Sequence, residues 1–84
     1  MIVIPEEIPD LNEPPYRGTF QQLLSANLGK LVRIDFLVGG ERVVTQSGIV
    51  DAVGVQYVVL YQPDTKTFVS GDVFGIKFVT FLPE

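Results

Sequence analysis

Between Leu31 and Val38 apolar and polar side chains alternate, with Val32, Ile34, Phe36 and Val38 on one face and Arg33 and Asp35 on the other. A period of two predicts a strand with one buried face. Gly39-Gly40 supplies the positive φ angles of a two-residue hairpin turn, so a second, antiparallel strand starts at Glu41 or Arg42 and runs to about Val53. Gly48 interrupts that strand midway, where a glycine marks a bend or bulge that lets a strand pass from one side of a rolled sheet to the other. Gly54 closes it. Gln56 to Gln62 is apolar on both faces, as expected of a strand central to a small sheet. Pro63-Asp64-Thr65-Lys66 reads as a turn, with proline preset for the second position. A fourth strand follows from about Thr67 to Ser70, then a corner at Gly71–Gly75, then a fifth strand from Ile76 to Leu82. In the fifth, Ile76, Phe78 and Thr80 share one face and Lys77, Val79 and Phe81 the other. Neither face is polar, so this strand expects a partner on both sides, one of them from another subunit.

Upstream of the strands the period changes to that of a helix. Thr19 is an N-cap with Gln22 three residues on, a capping box, and Gly29 is placed to end the helix in the left-handed conformation. Phe20, Leu23, Leu24 and Leu28 form an apolar stripe that predicts a helix over 19–28 lying across an open end of the sheet. Before it, Pro5, Pro9, Pro14 and Pro15 keep residues 1–16 extended. Ile2, Val3, Ile4, Ile8 and Leu11 make this arm more apolar than a solvated linker requires, and two readings stand: docking on its own barrel or a neighbour's, or disorder.

Composition narrows the function. A chain of 84 residues makes one domain, here 17–84 behind the arm 1–16. A domain this small buries only about 60% of its unfolded surface, yet 46% of the residues are hydrophobic, which points to a homo-oligomer or a docked protein partner. The arm holds Glu6, Glu7, Asp10 and Glu13 without Lys or Arg, and thus the whole net charge of −4. The remaining domain is neutral, a poor match for a phosphate backbone. There is no cysteine and no histidine, which removes Ser-His and Cys-His nucleophiles, His-ligated metals and an imidazole base. Gly71–Gly75 opens no helix and has no Lys-Ser/Thr pair, so it is a corner and not a phosphate loop. No catalytic, cofactor-binding or metal-binding residue is expected. The partner-binding residues expected are Ile2, Ile4 and Ile8 on the arm with Phe68, Phe74, Val79 and Phe81 on the last strands. No apolar run approaches the roughly 20 residues of a bilayer span, and Met1–Ile4 lacks the basic start of a secretory signal, so no membrane association and a cytoplasmic location are expected.

A helix ending in Leu28-Gly29-Lys30, the run Val32-x-Ile34-x-Phe36, a Gly turn, a long strand bent at Gly48, and Gly54 together resemble the Sm-like half-barrel over about 55 residues. The resemblance implies a mainly β fold, a small, strongly bent, antiparallel five-stranded barrel of the Sm-like or SH3-like kind with one N-terminal helix. The Asp-x-x-x-Asn loop with which Sm proteins bind RNA falls on Asp51–Val55, where this chain has no Asn. The chain also resembles the GerQ-like spore-coat family of spore-forming Firmicutes. That resemblance lies in Leu24, Asn27, Gly29 and Lys30; in Gly48, Val50 and Gly54; in Leu60, Pro63 and Thr65; and in Phe78, Val79, Thr80 and Phe81. It implies a non-enzymatic coat component, cross-linked by transglutaminase and required for a cortex-lytic hydrolase to take its place, hence a spore-coat location. In that family the cross-linking lysines precede the domain, whereas here the first lysine is Lys30. The expected function is a structural or interaction module of the spore coat acting by self-association or by docking a protein; the alternative is an Sm-like ring that binds RNA.

Overall fold

A computed structural model describes residues 18–83. One short helix, α1 (Phe20–Ser25), precedes five strands: β1 (Leu31–Val38), β2 (Arg42–Val53), β3 (Tyr57–Gln62), β4 (Thr67–Asp72) and β5 (Ile76–Phe81). A 3-10 turn, Val73–Gly75, joins the last two. All neighbours pair antiparallel in a single sheet of order β4-β3-β2-β1-β5. Among the described residues the sheet is open: β4 and β5 hold its two edges and no ladder joins them, so the closed barrel expected from the sequence is not formed by strand pairing.

The capping box forms as the sequence predicts. Thr19 Oγ1 accepts from the Gln22 N–H at 3.1 Å, and Gln22 Oε1 accepts from the Thr19 N–H at 3.3 Å. Gly18 before it has φ +126°, and a Cβ there would meet Gln22 Oε1. Gly18→Ala therefore strains the backbone and displaces the capping amide together. It is expected to lower stability by about 1–2 kcal/mol, seen as a lower urea midpoint at an unchanged slope; an unchanged midpoint would contradict this account.

The helix is shorter than its apolar stripe. It stops at Ser25 because Asn27 turns its Nδ2 back to donate to the Leu23 carbonyl at 2.7 Å, which satisfies an orphan acceptor of the last turn. Gly29 has the expected positive φ, 86°. Its N–H bonds Val50 O of β2 at 2.8 Å rather than a helix carbonyl. Leu28 consequently leaves the stripe and is exposed, while Leu24 is wholly buried.

The hairpin after β1 also differs. Val38 pairs with Arg42, so Gly39, Gly40 and Glu41 form a three-residue loop in place of the two-residue turn, both glycines at positive φ. On one face of the sheet, Val32, Ile34 and Phe36 of β1 meet Val50 of β2 and Val58 and Leu60 of β3 in the core. Val73, Ile76 and Leu24 close it, and Val53, Val79 and Phe81 pack against it.

Two bulges set which side chains reach this core. In β2, Val50 pairs with Leu60 but Ala52 with Val59, leaving Asp51 as the extra residue. In β5, Phe36 of β1 pairs with Ile76 and Asp35 with Phe78, leaving Lys77 over. The second bulge overturns the strict alternation predicted for β5. Ile76, Val79 and Phe81 share the core face, opposite Phe36, Ile34 and Val32, whereas Phe78 lies on the other face opposite Asp35.

Candidate interaction surfaces at the sheet edges

A strand at a sheet edge leaves alternate backbone N–H and C=O groups unpaired, a template for another chain. In this protein the two edges are β4 and β5, at opposite ends of the strand order. Both carry an exposed phenylalanine on the face away from the core. Phe68 of β4, 62% exposed, pairs across to Tyr61 of β3 with ring centroids 5.0 Å apart at 47°. Phe78 of β5, 68% exposed, stands opposite Asp35, whose Oδ1 accepts from Thr45 Oγ1 at 2.6 Å. Asp35 is thereby engaged along its own sheet row. Tyr57 and Val43 are also exposed on this outer face.

The expected partner-binding residues separate into groups. Phe68 sits on the β4 edge, as described. Phe74, 72% exposed, is on the 3-10 turn and belongs to the corner rather than to a strand edge. Val79 and Phe81 are half-buried and packed on the core, so β5 offers its edge backbone and Phe78 instead. Ile2, Ile4 and Ile8 lie outside the described residues. The sequence reading missed Phe78 as a docking residue because alternation put it beside Ile76. The Lys77 bulge that reverses the assignment has no local sequence marker such as Gly or Pro.

The polar groups of the core-side cleft serve local structure. The cleft, about 390 Å³, lies between the β1–β2 loop and β4 and is lined by Phe36, Val44, Gln46, Val69 and Asp72. Asp72 Oδ1 accepts the Phe74 N–H at 2.9 Å and caps the 3-10 turn. Gln46 Oε1 accepts from Gln62 Nε2 at 3.1 Å, which also donates to Ser47 O. Among the described residues no group of three acidic side chains gathers to hold a metal ion, and no helix is long and apolar enough to cross a membrane. No protein-family model matches the chain, and no curated protein matches it in sequence.

Proposed function

We propose that this chain is a non-catalytic interaction module that self-associates head to tail, the β4 edge of one copy adding to the β5 edge of the next. The observation that carries the reading is the pair of edges, at opposite ends of one sheet, that no other strand among the described residues covers, each with an exposed phenylalanine on the same face. Edge pairing satisfies the open backbone groups, and the ring contacts bury the anchors. Two different surfaces meeting give a heterologous interface, which closes into a ring or continues as a filament. On this reading the bent sheet is the half-barrel of the Sm-like and SH3-like kind, and the subunit contact takes the place of barrel closure. The likeness to the GerQ-like family supports a spore-coat role; finding the protein in vegetative cells but never in purified spores would remove it.

The first test is light scattering on a size-exclusion column over a range of concentrations. The wild-type protein is expected to run as an oligomer with the absorbance ratio of protein alone. Phe68→Lys and Phe78→Lys each replace an exposed side chain, so both variants fold, and each is expected to weaken association on the order of 30-fold, the effect of losing one anchor residue. Mixed together, the two retain one good β4 edge and one good β5 edge and form a heterodimer. A monomeric wild type, or variants that assemble normally, would overturn the proposal. Excess absorbance at 260 nm that high salt removes would move the reading to an RNA-binding ring.

A further inference from the structure

We infer that the cleft between Tyr57 and Phe74 receives a lysine side chain of a partner protein, its methylene stem along the two rings and its ammonium at the Asp72 carboxylate. This goes beyond the edge-to-edge contact: it uses side chains on the outer face where β3 begins and β4 ends, and not the edge backbone. The cleft holds about 570 Å³ and is lined by Gln56, Tyr57, Ser70, Gly71, Asp72 and Phe74.

Strand register brings these groups together. Tyr57 of β3 pairs with Asp72 of β4, so their side chains stand next to each other on one face of the sheet. The corner that follows is tied down twice. Val73 N–H donates to the Gln56 carbonyl at 2.9 Å, and Asp72 Oδ1 accepts from the Phe74 N–H at 2.9 Å. Phe74, two residues beyond Asp72, is thereby kept beside the Tyr57–Asp72 pair, and both rings are open to a ligand.

The electrostatics select a cation. An aromatic face carries a negative quadrupole potential, and a carboxylate beside it adds potential of the same sign. No lysine or arginine lines the cleft to neutralise it. Among cations the cleft favours lysine. Its apolar stem covers the rings while the charged head stays at the wet rim. Its three N–H donors match the acceptors that the lining supplies, the Asp72 carboxylate, the Gln56 amide oxygen and the Ser70 hydroxyl. A quaternary ammonium donates to none of them. Asp72 Oδ1 is already engaged by the turn amide, so the carboxylate has no free pair of oxygens for the two-pronged grip of an arginine.

The test is a proton NMR titration of the full chain with Nα-acetyl-lysine methylamide at low ionic strength, where exposed charges are least screened. The Tyr57 and Phe74 ring resonances are expected to shift, with a dissociation constant on the order of millimolar. The norleucine counterpart keeps an apolar stem without the charge and is expected to bind about 5-fold more weakly. Asp72→Asn retains an Oδ1 that caps the turn and removes only the charge, and Phe74→Leu keeps an apolar side chain and removes the ring. Each is expected to weaken lysine binding about 5-fold while the strand resonances stay in place. Absent ring shifts, equal binding of lysine and norleucine, or tighter binding of the arginine counterpart would overturn the inference. Phe78→Lys protein, with an altered β5 edge and an intact cleft, is expected to bind lysine as the wild type does, which keeps this test independent of the subunit contact. Loss of lysine binding in that variant would assign the cleft to the subunit contact and overturn the partner-lysine site.

Discussion

Gly48→Ala is expected to destabilise the protein by about 2 kcal/mol and Gly48→Val by about 3 kcal/mol or more. Gly48 lies opposite Val32 in β2, and a Cβ there would stand 2.7 Å from the Tyr61 carbonyl oxygen and 3.1 Å from Leu60 Cβ. Tyr61 O is backbone, and Leu60 is fully buried, so neither can swing away. Two effects oppose each other. Replacing a strand glycine stiffens the unfolded chain and favours folding by about 0.4–1 kcal/mol, whereas forcing a methyl into a packed site costs about 1–3 kcal/mol. Overlap wins because the obstacle is main chain. Against a total stability of roughly 4–12 kcal/mol for a domain of this length, Val at this position leaves little margin. Gly54 is the control. A Cβ there also collides, but with the ring of Tyr57, which is half exposed and free to rotate, so Gly54→Ala is expected to cost about 1 kcal/mol or less. Urea melts followed by far-UV circular dichroism give both values, and a Gly48→Ala midpoint at or above that of wild type would refute the close-approach argument.

That glycine was legible as a special position because glycine inside a long strand has few uses, but the irregularity of β2 falls at Asp51, where the ladder with β3 shifts register, and not at Gly48. The alternation Val32-Ile34-Phe36, the presence of a turn at the paired glycines after Val38, though not its three-residue length, and the Thr19/Gln22 box were legible because each is a local pattern with one dominant physical outcome. What failed to show were features decided by tertiary contact. Asn27 ends α1 by donating to the Leu23 carbonyl, and nothing in Leu24-Ser25-Ala26-Asn27 marks that stop as against Gly29. Lys77 becomes the bulge residue because Ile76 pairs with Phe36 at one end of the ladder and Phe78 with Asp35 on the other side of the extra residue. Periodicity applied across such a bulge inverts every assignment beyond it. The docking residues were half legible in consequence: Phe68 by its turn-proximal strand, Phe78 not at all. Openness of the sheet was likewise invisible, since strand order is a property of non-local pairing.

Leu24→Ala is expected to cost about 2–5 kcal/mol, and it separates the stability of the fold from its assembly. A helix of six residues has no stability of its own in water. α1 is held by Leu24, fully buried in the same cluster as Val50 and Val58, and by Gln21 Nε2, which donates to Gly54 O at 3.1 Å. The second tie is a single hydrogen bond worth about 0.5–1.5 kcal/mol, so Gln21→Ala is expected to be milder than Leu24→Ala. The packed leucine carries the larger share because its removal both loses apolar burial and leaves a cavity under the helix. Neither residue lies on β4 or β5. Leu24→Ala protein, kept below its lowered melting temperature, is therefore expected to self-associate with wild-type affinity, while Phe68→Lys and Phe78→Lys melt normally and associate on the order of 30-fold more weakly. A Leu24→Ala loss under 1 kcal/mol would show that α1 is peripheral to the core. Loss of assembly in a Leu24→Ala variant still folded at the assay temperature would place the subunit contact on α1 rather than on the sheet edges.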